Sequence, residues 1–125
     1  MSKLVQLKDN DGNIYPQTIE KYKTTEVKTN KIWIDNKPIY RKVYTGRTAS
    51  GNFTVITTTF SGSIINFGGY VKNVGNNTIY PLVGENGSNG DFIFPYFQNG
   101  NTIQLCNNNT GKTFDYYLIV EYTKN

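Results

Sequence analysis

The stretch FDYYLIVEYTK, residues 114–124, is the best-formed strand pattern in the chain and indicates which fold class to expect. Successive side chains of a β-strand point to opposite faces, so this segment presents two rows of alternating residues. The middle of both rows is apolar, which is typical of a central strand or of a strand that faces another subunit. One row is Tyr116, Leu118, Val120 and Tyr122, and the other is Tyr117, Ile119, Glu121 and Thr123.

Further extended segments precede this strand, and each is rich in β-branched or aromatic residues. Loops of Asn, Gly, Ser and Thr separate them, and these residues accept left-handed backbone or hydrogen-bond to their own backbone. Seven or eight short strands at this spacing predict an all-β fold, an antiparallel β-sandwich that is jelly-roll-like, with no helix of ordinary length. The segments are 31–34, 38–46, 52–60, 63–74, 78–84, 91–98 and 102–106.

Prolines and glycines inside these segments predict how some of the strands are placed. Pro81 in TIYPLVG and Pro95 in DFIFPYFQ cannot donate a ladder hydrogen bond, so we expect both strands at sheet edges or with bulges. The pair Gly68–Gly69 lies in the middle of SIINFGGYVKNV. It predicts a bulge, a sharp bend or the close approach of a neighbouring backbone.

Residues 1–30 show no sustained apolar periodicity, which predicts an extended N-terminal linker or stalk that packs poorly on the rest. Within it, LKDNDGNIYPQT at residues 7–18 carries a hairpin signal, and Pro16 restricts how far the second strand can continue. From Lys31, the segments KIWI, DNK and PIYRKVYTG indicate strand, tight turn and strand. We therefore predict a linker at residues 1–30 and a β-sandwich head domain at residues 31–125.

The content of histidine and cysteine excludes most catalytic and metal chemistry. The chain of 125 residues has no histidine and one cysteine, so it has no intrachain disulfide, no imidazole catalyst and no ordinary zinc site. Cys106 ends an alternating run, where a half-buried packing thiol is expected and a nucleophile is not. We predict a protein that is not an enzyme and that needs no cofactor or metal.

The distribution of charged and apolar residues argues against nucleic acids and membranes as partners. The net charge is +4, and residues 1–47 hold ten Lys and Arg and five Asp and Glu, a net charge of +5. Because the basic residues are interleaved with acidic ones, they form no cluster for nucleic-acid phosphates. No apolar run reaches the roughly 20 residues of a membrane span, and the N-terminus lacks the apolar core of a signal peptide. We expect no nucleic-acid partner, no membrane insertion and no export by a signal peptide.

The loop GENGSNGD, residues 84–91, carries carboxylates and candidate oxygen ligands. Glu85 and Asp91 could form a catalytic pair or part of a calcium site, but carboxylates beside glycine-rich turns are usually turn formers. The uncharged Asn, Thr and Gly of this loop and of residues 107–111 suit the hydroxyl groups of sugars, and solubility explains the same composition equally well. The candidate ligand-binding residues are Asn86, Asn89, Asp91, Tyr96, Asn108 and Asn109.

Three stretches resemble segments of bacteriophage tail proteins. LKDNDGNIYPQT resembles the Leu-Lys-Asp, Gly-Asn, Tyr-Pro-x-Thr element that recurs in tail, baseplate and fibre proteins. KIWIDNKPIYRKVYTG resembles the Trp-Ile-Asp-Gly-Lys-Pro-Ile-Tyr-Arg-Lys segment that opens terminal domains of such proteins in phages of low-GC Gram-positive bacteria. The closing YLIVEYTKN is similar to the last strand of that domain. Asn36 stands where the familiar pattern has Gly, and a left-handed turn position tolerates both.

The resemblance implies a homotrimeric head domain at the tip or periphery of a phage tail, made in the host cytoplasm and assembled into the virion. It implies that Tyr15, Pro16 and Thr18 form a junction with a neighbouring module. The implied partners are further copies, other tail or baseplate proteins, and a cell-wall or surface glycan of the host. Because the last strand is apolar on both faces, we expect Tyr117 and Ile119 to contact another copy. The alternative is a purely structural tail or baseplate protein with no ligand of its own.

Overall fold

The computed structural model describes residues 21–51, 53–82, 93–107 and 111–125, and the backbone of two strands within residues 4–18. This part of the chain consists of strands, turns and irregular segments and contains no helix. The strands are β1 (Leu4–Lys8), β2 (Ile14–Thr18), β3 (Val27–Ile32), β4 (Pro38–Arg47), β5 (Phe53–Thr57), β6 (Ser63–Asn73), β7 (Ile79–Pro81), β8 (Ile93–Gln98), β9 (Thr102–Asn107) and β10 (Phe114–Thr123).

Strands β3 to β10 build two antiparallel sheets that pack face to face. The larger sheet has five strands in the order β3-β4-β10-β6-β7, and the smaller has three in the order β5-β9-β8. All of these neighbours pair antiparallel. The two sheets share one apolar core. The predicted all-β antiparallel β-sandwich is therefore confirmed.

Strand β10 lies at the centre of the larger sheet, as its two apolar rows predict. Its inner row, Tyr116, Leu118, Val120 and Tyr122, is buried in the core. Aromatic contacts cross the interior, for example between Phe60 and Tyr122, whose ring centroids lie 5.0 Å apart. Burying one large apolar side chain stabilises the fold by about 1.5–3 kcal/mol. The other buried core residues are Val71, Leu82, Ile93, Ile103, Leu105 and Phe114.

The two strands for which Pro81 and Pro95 predicted an edge position both lie at sheet edges. Strand β7, which ends at Pro81, is the last strand of the larger sheet, and β8, which contains Pro95, is an outer strand of the smaller one. An edge strand has one row of N–H groups without a ladder partner, so a residue that lacks an N–H loses no ladder bond there. The predicted edge placement is confirmed.

The two adjacent glycines of β6 have different surroundings. Gly69 has a φ of +119°, and a Cβ built on it would collide with the carbonyl oxygen of Tyr117. The backbones of β6 and β10 therefore approach too closely at Gly69 for any side chain. Nothing lies within 4 Å of a Cβ built on Gly68. Of the three predicted reasons for the glycine pair, the close approach of a neighbouring backbone is therefore the one that applies, and it applies to Gly69. The register shift between β6 and β10 lies at a different place, between Glu121 and Tyr122.

The tight turn between β3 and β4 forms where DNK predicted it. Asn36 has a φ of +67°, a left-handed conformation that Asn adopts more readily than most residues. The Asp35 carboxylate accepts a 3.0 Å hydrogen bond from the N–H of Lys37. The N–H of Asn36 donates to the carbonyl of Trp33 at 2.9 Å. Asn at position 36 is therefore compatible with the tight turn of the hairpin.

The predicted N-terminal hairpin is confirmed at the level of the backbone. Strands β1 and β2 pair antiparallel as a sheet of two strands, with Leu4 opposite Thr18. Pro16 lies opposite Gln6 in this pairing. Proline is tolerated there because both strands of a two-stranded sheet are edges.

Residues 21–30 pack on the head, so the prediction of a poorly packed segment up to residue 30 is wrong for them. Strand β3 begins at Val27 and pairs with β4 across the expected boundary. The buried Thr29 hydroxyl donates a 2.7 Å hydrogen bond to the carbonyl of Ile39, and the Tyr122 hydroxyl donates one of 2.5 Å to Glu26. The missing apolar periodicity was misleading for residues 21–30. An edge strand that is held by hydrogen bonds of individual polar side chains needs few apolar residues of its own.

Removal of residues 21–30 is expected to destabilise the head. The comparison is between a chain that starts at residue 21 and one that starts at residue 31. The shorter chain loses the Thr29 and Glu26 hydrogen bonds and the first part of the β3 ladder, opposite Arg41 and Tyr40. Each bond is worth about 0.5–1.5 kcal/mol. We expect its free energy of unfolding to be lower by about 2–4 kcal/mol. Urea unfolding followed by circular dichroism measures this, and equal unfolding midpoints would contradict it.

Candidate functional site

Most of the predicted ligand-binding residues lie outside the described part of the chain, and their role stays a prediction. They are Asn86, Asn89, Asp91, Asn108 and Asn109, and Glu85 lies outside it as well. The junction residues Tyr15, Pro16 and Thr18 belong to β2, of which only the backbone is described. Tyr96 is described and lies on β8 with 43% of its surface exposed.

The three strands of the smaller sheet carry no charged residue. Strands β5, β8 and β9 contain no Asp, Glu, Lys or Arg, in a chain in which 18% of residues are charged. Alternation along each strand buries one row and turns the other outward. We call the outward row the uncharged face, and its members are Phe53, Val55, Phe94, Tyr96, Gln98, Thr102, Gln104 and Cys106.

Large apolar side chains of the uncharged face are open to solvent. Phe53 and Val55 are 50% and 56% exposed. The rings of Phe53 and Tyr96 meet edge to face across β9, with 6.1 Å between their centroids. Val55 and Tyr96 both lie opposite Gln104 in the register, so the patch is continuous over three strands. A contiguous apolar patch of this kind is typical of a contact surface.

Cys106 lies within the uncharged face as a half-buried thiol. Burial raises the pKa of the Cys106 thiol above its usual value. The thiol is therefore protonated near neutral pH, and a protonated thiol is a poor nucleophile. The expected half-burial of Cys106 is confirmed, and its lack of a catalytic role stays a prediction.

The outer side of the larger sheet bears a groove beside two stacked tyrosines. Tyr70 of β6 lies opposite Tyr117 of β10, and their ring centroids are 4.7 Å apart with 25° between the ring planes. Gly68, two residues before Tyr70 on β6, lies opposite Ile119, two residues after Tyr117 on β10. The sheet surface is open there because Gly68 has no side chain. We call this depression of about 290 Å³, together with the tyrosine pair, the tyrosine groove.

A cluster of ionic groups closes one end of the tyrosine groove. The Glu121 carboxylate accepts a 3.0 Å hydrogen bond from the amide of Asn66. It lies 3.8 Å from the ammonium of Lys31 and 4.0 Å from the guanidinium of Arg41. Arg41 is 6% exposed, and its guanidinium lies 4.2 Å from the centre of the Tyr22 ring. These contacts hold Arg41 and Glu121 in fixed positions.

A second ion pair lies at the other end of the same face. Arg47 donates a 2.8 Å hydrogen bond to Asp115, which holds the pKa of that carboxyl below its usual value. Lys72 of β6 lies opposite Asp115. The side chains of Arg47 and Lys31 are 60% and 59% exposed, whereas those of Asp115 and Glu121 are 34% and 13% exposed. The charge that this face presents to solvent is therefore mainly positive.

Another cavity, of about 450 Å³, has Glu26 in its lining together with Tyr122 and Lys124. The Glu26 carboxylate accepts a 2.5 Å hydrogen bond from the Tyr122 hydroxyl and lies 2.6 Å from the ammonium of Lys124. Burial raises the pKa of Tyr122 well above its usual value, and the bond to Glu26 adds to this. Burial acts to raise the pKa of Glu26, but the bonds from Lys124 and Tyr122 outweigh it and lower that pKa. These groups tie residues 21–30 to the last strand and are poorly suited to proton transfer near neutral pH.

The predicted interface residues Tyr117 and Ile119 both lie in the tyrosine groove, half-buried. Whether they contact another copy stays a prediction. Asn66, Gly68 and Tyr70 also belong to the tyrosine groove, and none of them was among the site residues predicted from the sequence. The alternation of NFGGY puts these three in one row, and the missing information was that β6 pairs with β10.

The described residues contain no group of three or more His, Cys, Asp and Glu that could hold a metal ion. Within the same ranges, no helix is long and apolar enough to cross a membrane. Comparisons with protein-family models, curated proteins and solved structures find no match to this chain.

Proposed function

We propose that this protein is a non-enzymatic head domain of a bacteriophage tail, which assembles as a homotrimer and attaches to a glycan on the host surface. The resemblance of residues 7–18, 31–46 and 117–125 to tail proteins of phages of low-GC Gram-positive bacteria supports this role. The observation that carries the proposal is the uncharged face. A sheet whose described strands present an apolar outward row without charged residues is suited to packing against another protein subunit.

A second copy of this chain is the partner that best fits the uncharged face. The chain has a net charge of +4, so two copies repel each other when they meet through their basic surfaces. On the uncharged face no charge has to be desolvated. Phe53 and Tyr96 are of the residue types that are enriched at protein interfaces. The uncharged face supports self-association of the chain. The resemblance to phage tail proteins supports three as the number of copies.

The surface around Tyr117 and Ile119 is the competing site for the subunit contact. A copy packed there would desolvate the ion pair of Arg47 with Asp115 and the charges around Glu121. Desolvation costs several kcal/mol for each ion unless new partners replace the water. The uncharged face involves no such cost, so we propose it as the subunit contact.

A role in binding without catalysis agrees with the partners of the described carboxylates. Asp115 pairs with Arg47, Glu121 with Lys31 and Arg41, and Glu26 with Lys124. Asp35 accepts a hydrogen bond from a backbone N–H within the β3–β4 turn. A general acid or base has to exchange a proton with its substrate near the working pH. Carboxylates held in ion pairs of this kind favour a structural role.

A purely structural tail or baseplate protein is the second candidate, and the tip of the β3–β4 hairpin favours it. Ile32 and Ile34 are 67% and 88% exposed, and Trp33 between them is 37% exposed. A protruding apolar tip suits a pocket in a neighbouring tail protein, where such side chains act as anchors. In that role the chain would connect parts of the tail and bind no glycan.

Two measurements test the proposed function. Light scattering coupled to size exclusion should give three times the chain mass of 14.2 kDa, and whole Gram-positive host cells should deplete the protein from solution. A trimer that no cells retain would favour the structural candidate, and a monomer would overturn the self-association. Release of reducing sugars from cell envelopes by the pure protein would overturn the non-enzymatic role.

A further inference from the structure

We propose that the tyrosine groove binds an acidic saccharide, a sugar chain that carries carboxylate or phosphate groups. This inference rests on the proposed attachment to a host glycan and names the site and the chemistry that would recognise it. It places recognition on the outer side of the larger sheet, away from the loops at residues 84–91 and 107–111.

The tyrosine pair supplies a platform for a sugar ring. Tyr70 is 40% exposed, and its stacking on Tyr117 at 4.7 Å fixes the orientation of both rings. The C–H face of a pyranose ring is apolar and packs on the face of an aromatic ring. Because the two rings are already ordered, little side-chain entropy is lost when a ligand binds.

The floor beside the platform has room for a further ring. Gly68 leaves the sheet surface open, and Ile119 adds an aliphatic lining. The volume of about 290 Å³ is close to the lower limit of small-molecule sites, roughly 300 Å³. At the end of this floor, Asn66 and Glu121 present an amide and a carboxylate of the kind that bonds to sugar hydroxyls. An apolar floor with polar groups at its end suits a saccharide.

The exposed charges at the two ends favour acidic groups on the ligand. Lys31 lies at one end and Arg47 at the other, and both side chains are more than half exposed. Lys72 adds a third cation, opposite Asp115. Along β10, Glu121 and Asp115 are separated by about 20 Å at roughly 3.4 Å per residue. A chain of several sugars is therefore needed to contact both ends at once.

The tyrosine groove stays open when the uncharged face forms the subunit contact. The two surfaces lie on the outer sides of different sheets of the sandwich. Each copy in an oligomer then presents its own groove. Several grooves acting together raise the apparent affinity for a repetitive polymer well above that of one site.

Calorimetric titration of the full chain tests the ligand class. The probes are a tetramer of galacturonic acid, a neutral tetramer of glucose, inorganic phosphate, and a glycerol phosphate oligomer that carries glucose. We expect one or both of the acidic saccharides to bind at least tenfold more tightly than the glucose tetramer and phosphate. The two acidic probes distinguish carboxylate from phosphate as the recognised group. Equal affinity for the acidic and neutral tetramers, or no binding of either acidic probe, would overturn the inference.

Substitutions in the groove test the site. Gly68→Val adds a side chain to the floor at a position where a Cβ has nothing within 4 Å. It should weaken binding of the acidic saccharide at least tenfold, and Tyr70→Ala should do the same. Ser63→Val is the control, because it places a valine on the same strand but outside the groove. It should leave the affinity for the acidic saccharide unchanged. Circular dichroism melting checks that all three variants are folded. If both groove variants bind like the natural chain, the groove is not the site.

Failure of this inference can be told apart from failure of the proposed function. Host cells that deplete the Gly68→Val variant as well as the natural chain would overturn the groove and keep the host attachment. Binding of an acidic tetramer that Gly68→Val abolishes, without depletion of the natural chain by cells, would keep the groove and overturn the attachment.

Discussion

Gly69→Ala is expected to lower the free energy of unfolding of the sandwich by about 3–5 kcal/mol, a large part of the roughly 5–15 kcal/mol that an ordinary domain has. The φ of +119° at Gly69 is a conformation that residues with a side chain rarely adopt. The added Cβ would also collide with the carbonyl oxygen of Tyr117. Backbone strain and overpacking each cost about 1–3 kcal/mol. Because β10 is the central strand, it cannot move away from β6 without losing core contacts.

The neighbouring glycine provides a matched control for this prediction. Gly68→Ala meets nothing within 4 Å, and it should stabilise the fold by about 0.5–1 kcal/mol because glycine is entropically unfavourable inside a strand. Urea unfolding of both variants measures the two effects with opposite signs. Similar unfolding midpoints for Gly68→Ala and Gly69→Ala would show that the close approach of β6 and β10 is not as described.

Val55→Asp is expected to convert the proposed trimer into folded monomers. Val55 is 56% exposed, so a charge at this position costs the isolated chain little. In an oligomer packed through the uncharged face, the same carboxylate would be buried without a partner, at a cost of several kcal/mol. Light scattering should report the mass of one chain, and circular dichroism should report an unchanged strand content.

Thr45→Asp is the matched control and tests the competing interface. Thr45 is exposed on β4 and lies opposite Tyr117 in the register. If the uncharged face forms the contact, this variant should stay trimeric. Dissociation by Thr45→Asp together with an intact Val55→Asp trimer would instead place the interface at Tyr117 and Ile119.

The sequence by itself determined the fold class and the approximate bounds of most strands. The pattern at residues 114–124 became β10 (Phe114–Thr123), and that at 102–106 became β9 (Thr102–Asn107). Pro81 and Pro95 marked edge strands, and Asn36 marked a left-handed turn. All of these are local properties. Alternation, a missing N–H and tolerance of positive φ depend on a residue and its neighbours along the chain.

Only the tertiary structure decided which strands pair and which surfaces result. Tyr70 and Tyr117 form one platform because β6 pairs with β10, and Glu26 reaches Tyr122 across 96 positions of the chain. Residues 21–30 belong to the head for the same reason, since β3 is held by β4. Any two antiparallel strands can satisfy each other's backbone hydrogen bonds, so local pattern leaves the choice of partner open. Burial of the shared core makes that choice, and burial depends on the whole chain at once.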